Sequence, residues 1–390
     1  MMKRGLVSLV VLGCALPRSR AAEAPKLPAN SQPAWSPAAA AKYLDSRAAW
    51  WESWPSSQRD HQTVCVSCHT MLPYLLSRSK LGATLGEKSM SDPERVMLQN
   101  VRKRVSLWAE VQPYYLDAKS GPGKSRESRS TESVLNALVL SSSAAEQKRL
   151  DPLTRSAFQA AWALQLTSGN HAGAWNWQVF RLAPWEAGDS QYQGATFMAL
   201  ASGWAPAAYR REPDVQKHLQ LLRSYLRREY SSQPLLNRIV LLWASARLPG
   251  LLSNGETRAL LDEIIKQQQP DGGWSLATLG PWTRSDHTPQ EKDSDGYATG
   301  LITLTLAQTP IRHRPEAFLR GRAWLEQHQN QEDGSWRAYS LNKKRDLASN
   351  AGRFMTDAAT GYAVLALEET RSSRRGGGNK VASLLRQTWR

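Results

Sequence analysis

Cysteine is scarce in this 390-residue chain, with three residues in all, at positions 14, 65 and 68. A fold stapled by several disulfides is therefore excluded. Acidic side chains are also few, 34 against 50 Lys and Arg, for a formal net charge of +16. That surplus would suggest nucleic acid if it were spread over the chain. Instead, residues 1–22 hold four basic residues and no acid, and the stretch from Arg371 holds six and no acid, leaving +6 for the body. Such a body is ordinary for a soluble domain, and no nucleic-acid partner is expected. No apolar run approaches the length of a transmembrane helix. Sustained period-two alternation is almost absent, which argues against a β fold. What the chain has in excess is tryptophan, 16 residues, which asks for many large apolar or stacking positions.

Two of the three cysteines stand in Cys65-Val-Ser-Cys68-His69. Cysteines at i and i+3 followed at once by histidine, read as one helical turn, would place both sulfurs on one face. That is the attachment pattern for a c-type haem, with Cys65 and Cys68 forming thioethers and His69 reaching the iron. A zinc site, a Cys65–Cys68 disulfide or chance remain the alternatives. Zinc would want a fourth ligand, and only His61 is within reach in sequence. For the second axial position the candidates are His61, Met71, Met90 and Met97, with Met90 preferred because it sits in a loop. Leu72, Tyr74, Leu75 and Leu76, with Trp50, Trp51 and Trp54, are expected to wall the haem.

The amino terminus reads as an export leader, with a basic start at Met1–Arg4 and an apolar segment over Gly5–Leu16. Residues 1–24 form this leader if cleavage follows Ala22-Glu23-Ala24. Alternatively, Val11-Leu12-Gly13-Cys14 resembles a lipobox, making Cys14 a lipidation site. Either route predicts a periplasmic or otherwise extracytoplasmic protein, with membrane-surface association through a lipid anchor or the basic tail at 371–390.

Helix starts are plainly written. Ser91-Asp92-Pro93-Glu94 and Ser253-Asn254-Gly255-Glu256 are capping boxes, and Asp151-Pro152 and Glu212-Pro213-Asp214 share their grammar. About twelve helices follow, in six hairpins: 37–54 with 67–79, 92–112 with 131–143, 152–167 with 189–203, 213–229 with 234–247, 255–268 with 295–308, and 315–329 with 356–369. The fold class expected is all-α, an (α/α)6 toroid carrying the haem motif in its first hairpin. Residues 25–125 would hold the haem segment and 126–370 the rest of the toroid. A separate small cytochrome domain, with 119–129 as linker, is the alternative.

Two phrases repeat. Gln267-Gln-Gln-Pro-Asp-Gly272-Gly273-Trp274 and Gln329-Asn-Gln-Glu-Asp-Gly334-Ser335-Trp336 share Gln, four residues, Gly, one residue, Trp, and Gly173-Ala174-Trp175 after Gln165 is a degenerate copy. In this role Gln would cap an outer helix, Gly permit the tight turn and Trp plug the gap to the next hairpin. The phrase resembles the QW motif of squalene-hopene cyclases, whose α/α toroid is shared with protein prenyltransferases. The resemblance covers roughly 130–370 and bears on fold rather than reaction. The acidic motif of those cyclases has its nearest match in Asp293-Ser294-Asp295-Gly296, where Gly296 replaces an acid, so alkene protonation is not expected. Prenyltransferases need a zinc-ligating Cys, and none follows Cys68. By the same resemblance, the lumen would be hydrophobic and could receive a lipid or quinone.

Each inner helix is expected to begin with an acid: Glu132, Asp189, Asp295 (with Asp293 just ahead) and Asp357. They are either N-caps or the carboxylates of one cleft, with Trp175, Trp177, Trp185 and Tyr192 as an aromatic wall suited to glycan. Lys343, Lys344, Arg345 and Arg353 would serve an acidic polysaccharide. The reading is an exported protein with one covalent haem c, acting in electron transfer or haem redox chemistry with a partner protein or a quinone or lipid. The rivals are an acidic-rim enzyme on polysaccharide or terpenoid, and a non-catalytic binding protein. The oligomeric state is not set by the sequence.

Overall fold

The computed structural model describes residues 35–143, 149–309 and 315–376, with side chains to 369. Cys14, the leader and the tail beyond Gly376 lie outside the described residues. From Trp35 onward the chain forms one unit, and it is mostly helical. Its α-helices are α1 (Pro37–Ser53), α2 (Met71–Leu85), α3 (Asp92–Ser106), α4 (Asp117–Ser120), α5 (Lys124–Ser143), α6 (Pro152–Ala163) and α7 (Ser190–Trp204). There follow α8 (Ala207–Arg210), α9 (Pro213–Glu229), α10 (Leu235–Ser245), α11 (Asn254–Lys266), α12 (Gly296–Gln308), α13 (Pro315–Gln327) and α14 (Phe354–Gly376). The described strands are a two-residue pair, β1 (Gln58–Arg59) with β2 (Thr63–Val64), antiparallel.

Burial separates the helices into two kinds. In α7 and α12 nearly every residue is buried, and α12 is uncharged throughout. By contrast α9 buries one stripe, Val215, Leu219, Leu222, Tyr225 and Leu226, and leaves its charges outside. The fully buried kind pack on one another in order: α2 on α5, α5 on α7, α7 on α10, α10 on α12, α12 on α14, and α14 back on α2. Close approach of α12 and α14 depends on Gly300, where a Cβ would meet the Ala363 backbone at 2.7 Å. Outside this cycle α1 packs chiefly on α2 and α3 on α1, α2, α5 and α6, whereas α6, α9, α11 and α13 pack chiefly on the buried helix that precedes each of them, α5, α7, α10 and α12. Starts follow the written signals: Ser253 and Glu256 form a reciprocal capping box, and Asp151 accepts from Leu153 and Thr154.

The repeated phrase does the same three jobs each time. The indole N–H of Trp175, Trp274 and Trp336 donates to Ala161, Ile264 and Leu325, carbonyls at the ends of α6, α11 and α13, at 2.7, 2.9 and 2.8 Å. The glutamine amide bridges the turn to the next outer helix. Gln165 reaches Gly173 and His218, Gln268 reaches Gly272 and Ala317, and Gln329 reaches Gly334 and Ser36. In the first full copy the working side chain is thus Gln268, one residue beyond the Gln267 of the aligned phrase. Gly173, Gly272 and Gly334 all have positive φ, and a Cβ on Gly334 would strike the Ala39 backbone at 2.4 Å.

Several boundaries differ from expectation. The first inner helix begins at Met71 and runs to Leu85 rather than 67–79, and α3 stops at Ser106. The stretch read as linker contains α4 and the start of α5, fixed by reciprocal bonds between Asp117 and Ser125. Glu132 is therefore two turns inside α5 rather than at a helix start. The helix α14 continues to Gly376, into the stretch read as a disordered tail.

Gly334→Ala combines a left-handed φ with a backbone clash and is expected to cost about 2–4 kcal/mol. Trp336→Phe, which loses only the indole bond and some area, should cost about 1–2 kcal/mol. Urea unfolding of the two variants checks the order.

Candidate functional site

The Cys65–His69 segment lies between β2 and α2 as an extended stretch and a turn, not as a helical turn. Almost every backbone group in it is held. Asn100 pairs with both the N–H and C=O of Val64 (2.7 and 2.9 Å). The Cys65 N–H donates to Ser57 O, its carbonyl accepts from the Trp51 indole at 2.7 Å, and the Val66 N–H donates to the Tyr114 hydroxyl. The Ser67 hydroxyl accepts from Thr70 and Met71, capping α2. Beneath this, Arg104 binds Glu132 through two nitrogens (2.6 and 3.1 Å) and also reaches Asp60 and Thr63. Glu132 is thus the buried counter-ion that anchors the segment.

Both thiols are free and nearly buried, and both face a cavity of about 220 Å³ that the His69 ring also lines. Its walls come from distant segments: Trp51 and Trp54, Tyr114 and Tyr115, Trp185 and Glu186, and Arg345, Phe354 and Met355. Phe354 stacks on His69 with centroids 3.9 Å apart, while Trp51 meets it edge-on at 5.1 Å and Trp185 at 5.6 Å. A ring stacked on the imidazole face leaves the in-plane nitrogen lone pair clear of that contact.

The tautomer of His69 follows from its neighbours. The Thr70 hydroxyl donates its one proton to Asp357 Oδ2 at 2.7 Å and lies 2.8 Å from His69 Nδ1. It must therefore accept from Nδ1–H, which leaves Nε2 as the nitrogen without a proton. Asp357 is fixed by Arg47, whose guanidinium spans both carboxylate oxygens (2.8 and 3.1 Å), and by Tyr43 at 2.8 Å. Burial, with Arg47 adding to it, pushes the imidazole down to about 3, so it is neutral. Burial likewise raises the Cys65 thiol to about 12 and Cys68 well above its ordinary value, with Glu186 adding to the rise at Cys68. The Glu186 carboxyl is itself raised to about 7 by burial, against the pull of Lys124.

The other sequence candidates are dispersed. Met90 is 49 % exposed and borders a different cavity, so the methionine lining the Cys65–His69 cavity is Met355 instead. Met71 and Met97 are buried in α2 and α3, and His61 is exposed. The expected aliphatic wall is elsewhere too: Leu75 and Leu76 face that second cavity, and Tyr74 binds Asp45. Of the aromatic set, Trp185 lines the site, and Trp177 supports it by donating to Trp185 O. Trp175 is a helix staple, and Tyr192 bonds to Leu226 O.

None of the five acids lines this cavity. Asp295 is an N-cap that accepts from Leu276, Tyr297 and Ala298, with its carboxyl raised to about 7 by burial against those bonds. Asp189 accepts from Asn237, and Asp293 is exposed. Of the basic set, Arg345 alone lines the cavity. Glu186, Phe354 and Met355 carried no sequence signal, because the pocket brings them in from far along the chain. Among the described residues, no group of three or more His, Cys, Asp or Glu could hold a metal ion by itself, whereas a closed zinc site takes four ligands.

No family model and no curated protein matches the chain. Among solved structures it is similar to a polysaccharide lyase over 86% of this chain and 90% of the lyase, with 13% identity and a TM-score of 0.36.

Glu186 yields a pH test. Between its unfolded value near 4.5 and about 7, the folded chain keeps a proton that the unfolded chain has released. This group therefore makes stability fall as pH rises through that window. Urea unfolding of the protein at pH 5 and pH 8 should show a shallower fall for Glu186→Gln than for the wild type.

Proposed function

We propose that Cys65 and Cys68 carry one covalent haem whose iron is held by His69 Nε2, on an exported α/α toroid of squalene-cyclase-like kind. The closed order of helix contacts and the Gln–Gly–Trp staples support the toroid. The observation that carries the haem is that both free thiols and an imidazole with Nδ1 already committed open into one aromatic-walled cavity. Bound there, an iron porphyrin supplies one-electron redox chemistry.

The residues present fit that group. The thiols suit thioethers, Nε2 is free to ligate, and Trp51, Trp54, Trp185 and Phe354 give an apolar wall. Arg345 is the permanent charge placed to meet carboxylates. At about 220 Å³ the cavity is below the roughly 300–1,000 Å³ of a site that swallows a drug-sized ligand. A porphyrin held by these residues would therefore be only partly enclosed by them.

The chain's own part is orientation and tuning. Thr70 and Asp357 fix the imidazole plane and increase its basicity through the Nδ1–H bond. The acidic-rim rival has less support, since Glu132, Asp295 and Asp357 are spent on structural bonds. Among the described residues no helix is long and apolar enough to cross a membrane. The extracytoplasmic location rests on the leader.

Protein exported from a host with haem-maturation machinery should show a Soret band and a haem-sized mass increment. The double variant Cys65→Ser, Cys68→Ser should lose both, and a band that survives it would count against thioether attachment. Thr70→Val should keep the band but move the midpoint potential in the positive direction, because the less basic imidazole stabilises ferric iron less.

A further inference from the structure

A row of aromatic rings leaves the His69 site and ends at the second cavity. His69 meets Trp185 at 5.6 Å, Trp185 meets Tyr297 at 5.9 Å and Tyr297 meets Tyr362 at 5.3 Å. Tyr362 then meets Trp243 at 6.3 Å, and Trp243 meets Trp204 at 6.2 Å. Every step lies in the range over which aromatic pairs interact directly. The rings from Trp185 to Trp243 are buried, whereas Trp204 is half-buried. The second cavity, about 660 Å³, is lined by Trp204, Trp243, Leu75, Leu98, Val139 and Gln308 among others. Trp204, Trp243, Val139 and Gln308 stand in the later turns of their helices, while the Cys65–His69 cavity gathers the segments that lead into α2, α7 and α14.

Packing alone does not account for the ring types. The Trp243 indole nitrogen is buried with no hydrogen-bond partner, a cost that phenylalanine would avoid, and the Tyr297 hydroxyl finds its partners in the neighbouring rings of the row, Trp185 and Tyr362. The property Trp and Tyr have and Phe lacks is ready one-electron oxidation.

We propose that this row carries oxidising equivalents from the haem site to Trp204, where a phenol-class reductant in the second cavity is oxidised. The proposal rests on the haem reading above and names a hydroperoxide as the oxidant. The hydroperoxide takes two electrons and two protons, its O–O bond breaks, and an alcohol and water leave. Two phenols each supply one electron through the row and release one proton, becoming phenoxyl radicals. Each ring that gives up an electron is refilled from the next, so the row ends unchanged. A cavity of this volume is of the size that encloses a small organic molecule, and Trp204 offers it a ring to stack on.

The test uses the full exported, haem-loaded protein, hydrogen peroxide and the spin trap 2-methyl-2-nitrosopropane, with adducts located by peptide mass spectrometry. The wild type should be labelled at Trp204, and guaiacol should suppress that adduct. The double variant Tyr297→Phe, Tyr362→Phe keeps both rings in place but breaks the row. Its Trp204 adduct should fall several-fold while label gathers at Trp185. Equal labelling of Trp204 in this variant, or wild-type label confined to Trp51 and Trp54, overturns the row. The Soret band of the same sample separates the two readings. A band without a Trp204 adduct removes the row alone, and absence of the band removes the haem reading and the row with it.

Discussion

The bond on which the architecture most depends is the pair between Gln329 and Ser36. Its amide donates to the Ser36 carbonyl and accepts from the Ser36 N–H, at 3.0 and 2.6 Å, across 293 residues of sequence. Gly334 is pressed against Ala39 beside it. Elsewhere the same device joins one hairpin to the next along the chain. Here it joins the last hairpin to the first, so a local turn rule becomes a closure condition. A shorter amide at 329 would leave the buried Gly334 carbonyl without this partner and release the Ser36 N–H and C=O, and the buried group is the costly one.

Closure is also what builds the site. With α14 brought against α2, Asp357 comes within reach of Thr70 and Arg47, and Phe354 comes onto the face of His69. The tautomer of His69 is thus decided by a carboxylate 288 positions further along the chain. Loosening the last hairpin would free the imidazole to rotate long before α2 itself unfolded. Stability of the seam and orientation of the imidazole are one property here.

The sequence was most legible where chemistry is local. A five-residue thiol–imidazole motif, capping boxes and Gln–Gly–Trp turns each act over a few residues, and the helix pairs follow from their punctuation. It was least legible where a pocket is assembled from afar. Met90 was favoured because it sits in a loop, yet the cavity takes its methionine from α14. Leu75 and Leu76 follow the motif in sequence but turn toward the second cavity. The Gly-, Pro-, Ser- and charge-rich run 119–129 reads by composition as the linker of the two-domain alternative. Its helix is set by Asp117 and Ser125 and by burial of Ser128 and Ser130, none of which composition reveals. The acids at helix starts were visible as acids, but not the burial and partners that commit them to capping and ion pairing.

The electrostatics of the pocket narrow what it can hold. Burial biases the two thiols, the His69 imidazole and the Glu186 carboxyl toward their uncharged forms. Arg345 is the permanent charge among the lining residues. An acidic sugar would bring several charges into a wall of Trp and Phe with one arginine to meet them. A flat macrocycle with an apolar body, a metal bound by a neutral imidazole and its few charges at one edge asks for no charge separation that the pocket resists. Neutral donors, aromatic walls and one cation at the side are therefore mutually consistent with the proposed occupant.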